Sequence, residues 1–173
     1  MTFSIRRITR AFVARRSRIR ISARMWRELI SDLGERGAGV RESGAFLLAA
    51  SGTDTRTVRS LLFFDDLDPG SLAGNISLTA AAFGKLWATC SQDRLRVVAD
   101  VHTHPGPYVA QSGIDQANPL VAVAGHVAIV IPNFAERPVN PRDCGVHIYL
   151  GDHQWRAAYG RAAARLLYVG HLP

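Results

Sequence analysis

Residues 95–107 read LRVVADVHTHPGP. The Val-rich run from Leu95 to His104 predicts a strand, and Pro105, Gly106 and Pro107 predict a loop after it. Residues two apart on a strand face the same side, so His102 and His104 project together from the end of that strand. Two imidazoles on one face are half of a zinc site. Asp115 lies eleven residues beyond His104, enough chain to reverse and return a carboxylate as a third ligand. Three protein ligands leave the fourth tetrahedral position to water, which marks a catalytic rather than a structural zinc. A His-x-His pair alone is common on strands. Ser112-x-x-Asp115 is also a capping-box pattern at a helix start. Both readings hold together if a helix N-terminus presents Asp115 to a metal.

Outward from this stretch the chain reads as alternating elements. Arg18 to Ser22 alternates charged and apolar residues, as a strand does. Ser22 predicts a cap for a helix over 23–36, where Met25, Trp26, Leu29, Ile30 and Leu33 follow a 3.6-residue period and Gly37 and Gly39 stop it. Residues 43–52 predict a buried strand, with residues 57–64 its antiparallel partner. Asp65 to Gly74 carries turn chemistry. A second helix is expected over 79–92, with Phe83, Leu86 and Trp87 on one face. Strands are expected over 126–132 and 145–150, and a helix over 155–168, where Ala and Arg dominate. The sum is one α/β sandwich around a mixed β-sheet flanked by helices.

Cleaving an amide at such a site needs a group to take the proton of water and return it to the leaving amine. Bound to zinc, that water has its pKa lowered from ~15.7 to roughly 7, and a general base adds ~10²–10⁴-fold. Glu42 is the candidate base. It precedes the apolar run Ala45 to Ala50, where an acid has little structural reason to be. Ser112 could donate its hydroxyl to the oxyanion of a tetrahedral intermediate.

Glu42, His102-x-His104, Ser112 and Asp115, with seven residues between His104 and Ser112 and two between Ser112 and Asp115, resemble the signature of the JAMM (JAB1/MPN/Mov34) metalloproteases. The resemblance covers roughly residues 18–150. It implies a single-domain, cytidine-deaminase-like (JAB/MPN) fold. It implies His102, His104 and Asp115 as ligands of one Zn²⁺ per chain, Glu42 as the residue that activates water, and Ser112 as the oxyanion donor. It further implies a zinc-dependent isopeptidase or peptidase that cleaves after the C-terminal glycine of a ubiquitin-like modifier. The small single-domain form resembles the prokaryotic branch, which partners ubiquitin-like proteins and E1/E2-like conjugation systems. A branch associated with DNA repair by name carries HNHPSG after the same strand. This chain has HTHPGP, which argues against that branch.

Length and composition bound the alternatives. At 173 residues, 47% hydrophobic and 20% charged, the chain suits one globular domain and excludes a fibrous repeat or a disordered chain. Cys90 and Cys144 are too few for a disulfide framework. No run of 18 apolar residues exists to cross a membrane. No secretory signal is apparent, so a cytoplasmic location is expected. The net charge is +7, and the first 41 residues hold eleven arginines and three acids. Residues 1–17 therefore read as a basic N-terminal arm, ahead of a domain spanning 18–173. The alternative to an enzyme is a non-catalytic basic scaffold that binds nucleic acid or an acidic protein partner. The absence of nucleic-acid motifs and of an aromatic stacking strip weighs against nucleic acid. His126 and His147 are expected in the core or at its rim, and His153 and His171 in solvent. Asp100 shares a strand face with His102. It fits either a partner that orients an imidazole or a plain buried hydrogen bond. Trp26, Trp87 and Trp155 read most simply as core residues.

Overall fold

The Val-rich stretch becomes a nine-residue strand inside a six-stranded sheet. The computed structural model describes residues 18–172 apart from Thr53, and the basic arm expected over 1–17 lies outside the described residues. In chain order the elements are β1 (Ile19–Ser22), α1 (Ala23–Gly37), β2 (Gly44–Ala50), β3 (Val58–Phe63), the short helix α2 (Phe64–Leu67), α3 (Ala80–Gln92), β4 (Leu95–Thr103), the one-turn helix α4 (Gly113–Ala117), β5 (Val127–Ile131), β6 (Gly145–Gly151), β7 (Gln154–Ala158), α5 (Arg161–Leu166) and β8 (Leu167–Gly170). The large sheet runs β3-β2-β4-β5-β6-β7, and β1 pairs with β8 in a separate parallel ribbon. Within the large sheet β4 and β5 are parallel and every other pair is antiparallel. The fold is a mixed α/β domain with helices on both faces of a mixed sheet.

Each face has its own core. On one side Trp26, Leu29, Ile30 and Leu33 of α1 pack with Ile19 and Ile21 against Ala45, Leu47, Val101 and Ile129. Fully burying side chains of this size contributes about 1.5–3 kcal/mol each. Ser22 caps α1, its hydroxyl accepting from the Met25 amide at 3.1 Å. On the other side Leu86 of α3 packs with Phe46, Leu48 and Phe64. Alternation along β2 thus sends Ala45 and Leu47 one way and Phe46 and Leu48 the other. The β2–β4 register shifts between Leu47 and Leu48, which pair with Ala99 and Val97 and leave Val98 unpaired. Val98 packs on the α1 side and Val97 on the α3 side, so this irregularity resets the alternation ahead of Asp100 and His102.

Three expectations need correction. Residues 155–168 are not one helix. Trp155 to Ala158 pair with β6, and only Arg161–Leu166 is helical before β8 begins. The Ala and Arg content favours a helix locally, but pairing with β6 and the β1–β8 contact override it. Trp87 is not a core residue. It is 47% exposed, while Leu86 beside it is fully buried. The 65–74 segment also begins with the helical turn α2 rather than a plain loop.

Candidate metal centre

β4 becomes steadily more buried toward its C-terminal end, where His102 and His104 sit at 6% and 9% exposure. The backbone there is fixed at both its amide and its carbonyl, by the end of β5 and the turn after it. The His104 amide donates to the Ile131 carbonyl at 2.8 Å, and the His104 carbonyl accepts from the Phe134 amide at 2.8 Å. Asn133, Phe134 and Ala135 all have φ between +50° and +60°. Such left-handed backbone is costly for residues with a Cβ, and here it delivers the amide that holds His104.

The third member arrives as the spacing predicts. Ser112 caps α4, its hydroxyl accepting from the Asp115 amide at 3.1 Å, while the Ser112 amide donates to Asp115 Oδ2 at 2.7 Å. The capping box and the metal-ligand position therefore coexist, and the box fixes the Asp115 carboxylate. His102 Nε2 and His104 Nε2 lie 3.2 Å apart, and Asp115 Oδ2 is 3.7 Å and 3.4 Å from them. Ligands ~2.1 Å from a shared tetrahedral ion stand about 3.4 Å from one another. The three atoms thus form one face of a tetrahedron of the right size, and the group could hold a metal ion. The His104 Nδ1 side meets the Tyr108 carbonyl at 3.1 Å. Donation from Nδ1–H leaves the Nε2 lone pair toward the cluster.

Glu42 completes the surroundings. It immediately precedes Ser43, whose amide donates to Thr103 Oγ1 and whose carbonyl accepts from the Thr103 amide, both at 2.9 Å. Gly44 pairs with His102. A Cβ on Gly44 would run into the Phe64 ring and, at 2.6 Å, the Val101 carbonyl oxygen, so only glycine allows this close approach. Burial pushes the half-buried Glu42 carboxyl up, and the charges of His102 and His104 pull against that shift. Burial also acts upward on Asp115, but hydrogen bonds from the two histidines and Ser112 outweigh it and hold its carboxyl well below the usual carboxylate range. Burial lowers His104, yet Asp115, Glu42 and the Tyr108 carbonyl together leave its pKa raised. Two carboxylates thus draw a proton into the cluster, and a divalent cation competes for the same place.

Ser43, Thr103 and Gln111 support the cluster and were not singled out by the sequence, whereas Asp100, His126 and His147 were. Ser43 and Thr103 are fully buried and tie the start of β2 to the end of β4. His147 Nε2 meets the Val109 carbonyl at 3.0 Å, anchoring the loop between His104 and Ser112. Asp100 bonds His126 Nε2 at 2.6 Å, with both side chains about 5% exposed or less. This is the buried hydrogen-bonding alternative for Asp100. A cavity of about 50 Å³ adjoins the cluster, lined by His102, Asp115, Gln111, Leu120 and Trp155. Gln111 Oε1 is buried there without a partner among the described residues. His153 and His171 are exposed, as expected, and Cys90 and Cys144 are buried free thiols. Among the described residues no helix is long and apolar enough to cross a membrane.

The sequence matches no established protein-family model. Solved structures nevertheless share its architecture. The solution structure of a protein from Desulfitobacterium hafniense is similar with a TM-score of 0.58 at 14% identity, covering 89% of this chain and 94% of that one. A solution structure from Salinibacter ruber is similar at 0.52 and 16% identity, covering 81% and 88%. The crystal structure of a JAB1/MPN domain protein from Archaeoglobus fulgidus is similar at 0.41 and 16% identity, covering 85% and 92%. At such low identities likeness speaks to fold alone, and this chain shares its fold with the Desulfitobacterium and Salinibacter proteins.

Proposed function

We propose that this protein is a JAMM-type zinc isopeptidase or peptidase that removes or processes a ubiquitin-like modifier by cleaving after its C-terminal glycine. The observation that carries the reading is the triangle of His102 Nε2, His104 Nε2 and Asp115 Oδ2, with edges of 3.2 to 3.7 Å, and Glu42 lies two residues before Gly44, which pairs with His102. His102, His104 and Asp115 would hold a zinc ion, which would supply an acidified water and polarise a substrate carbonyl. The remaining work falls to the chain itself.

A Glu42 carboxylate oxygen takes a proton from the attacking water and returns it to the nitrogen of the leaving amine. Ser112 Oγ already accepts from the Asp115 amide, which leaves its own O–H free to donate to the oxygen that becomes negative as the carbonyl is attacked. An extended tail ending in glycines suits such a place, since small residues let the scissile carbonyl approach the centre. Proteins of a ubiquitin-like conjugation system are the partners this reading implies.

The test is cleavage of linear ubiquitin-like fusions that carry a Gly-Gly junction. Glu42→Gln should lose at least about a hundredfold in rate while its metal content is unchanged. A variant that keeps full activity removes Glu42 from the reaction. Metal-loaded protein that cleaves no such fusion contradicts the substrate assignment.

A further inference from the structure

A groove of about 710 Å³ lies at the other end of β4 from the histidines. Leu95 to Val98 form part of its wall, and Arg96 is six residues before His102, roughly 20 Å along an extended strand. Nothing in the proposed reaction uses it. Its lining includes Arg18, Arg56 and Arg96 and contains no Asp or Glu. All three arginines are exposed. None takes part in the Arg–carboxylate pairs found among the described residues, which engage Arg20, Arg24, Arg36 and Arg59. The sequence immediately before Arg18 adds Arg6, Arg7, Arg10, Arg15 and Arg16 and no acid. The same groove is lined by Trp87 and Val123, exposed at 47% and 64%, and by Val97.

We propose that this groove docks an acidic polypeptide segment with aliphatic side chains interspersed among its carboxylates. Three guanidinium groups with no carboxylate partner among the described residues, in a groove whose described lining holds no acid, set the sign of the partner. They also disfavour a second copy of this basic chain as the occupant. The wall chemistry separates protein from nucleic acid. Single-stranded nucleic acid is held on successive aromatic faces. This groove offers one tryptophan among valines, leucine and isoleucine, which instead accept aliphatic side chains. Trp87 then has a reason to stand out of a helix face whose Leu86 is wholly buried. An exposed indole beside cationic groups is a common anchor for a protein partner.

The test is fluorescence anisotropy on the full chain, with a labelled peptide in which glutamates alternate with leucines. Polyglutamate and oligothymidylate carrying the same label serve as comparisons. The alternating peptide should bind more tightly than either, and added salt should weaken it. The double substitution Arg56→Glu and Arg96→Glu should weaken it at least about tenfold. Arg24→Glu with Arg27→Glu, an equal change of charge on α1, should leave it within about twofold. Trp87→Ala should weaken it several-fold. All these positions are exposed, and circular dichroism checks that each variant folds. Tighter binding of oligothymidylate would overturn the proposal in favour of nucleic acid. Equal weakening by the two charge reversals would overturn it in favour of net charge alone. Loss on deleting residues 1–17, with no effect of the Arg56 and Arg96 changes, would place binding on the arm and likewise overturn it. Failure of the alternating peptide to bind would overturn it outright. None of these outcomes depends on peptidase activity.

Discussion

Ser43 and Thr103 hold each other by reciprocal hydrogen bonds, backbone amide to side-chain oxygen one way and amide to carbonyl the other, both at 2.9 Å. The consequence lies one residue away on each strand. Glu42 precedes Ser43, and His102 and His104 flank Thr103, so this clasp sets the candidate base beside the candidate ligands. The Ser43 hydroxyl also donates to the Leu33 carbonyl at 2.7 Å and ties the clasp to α1.

Thr103→Val should remove the acceptor of a fully buried amide and cost about 1–3 kcal/mol. Urea denaturation reads this directly. Thr103→Ser keeps the oxygen and should recover most of the loss. If the valine variant unfolds at the same urea concentration as the parent, the clasp contributes nothing to stability.

Gly145 should tolerate no side chain. A Cβ there would collide with the Val109 carbonyl oxygen and come within 2.7 Å of His147 Nε2. Gly145→Ala should therefore displace the loop that carries Tyr108, whose carbonyl orients His104. Loss of such an outer partner costs roughly 10–100-fold in metal affinity. Competition with a chelator measures it.

Asp100→Ala should cost about 1–3 kcal/mol by leaving His126 buried without its partner. Its metal stoichiometry should stay that of the parent, because Asp100 bonds His126 and not His102. The Asp100→Ala, His126→Ala double variant should lose less than the sum of its single variants. Denaturation and metal analysis on the same samples separate these outcomes.

Asp68 predicts an acid-sensitive loop. Its carboxylate accepts from the Thr79 hydroxyl at 2.8 Å and from the Thr79 and Gly70 amides at 3.1 Å each, and these bonds lower its pKa. With the folded value below the unfolded value of about 3.9, its contribution is present above that pH and is lost as pH falls through the folded value. Asp68→Asn should melt below the parent at pH 6. The gap should narrow as pH falls through the lowered folded value, below which both side chains are neutral. An undiminished gap in acid would contradict a carboxylate role.

How far these features were legible in the sequence depends on how local they are. The histidine pair needs only the two-residue alternation of one strand. Asp115 needs only a helix cap three residues long. Both are encoded within a few neighbours, so both could be read from the chain. The Ser43–Thr103 clasp depends on the register of β2 against β4, across sixty residues and an irregularity at Val98, and no local pattern carries it. β7 was hidden for a different reason. Asp152 and His153 both take left-handed backbone in the turn before it, where a glycine would have announced a hairpin. The Ala- and Arg-rich residues that follow favour a helix until the β6 edge recruits them. Trp87 was misplaced because helical period assigns a face to a residue but cannot say how far the covering layer extends.

The most direct test of the metal centre is the metal content of protein purified without chelator, measured beside His104→Ala. The account predicts about one zinc per chain in the parent and none in a variant that is still folded. Folded parent protein that takes up no zinc even when it is supplied, or a variant that binds as much as the parent, would contradict it.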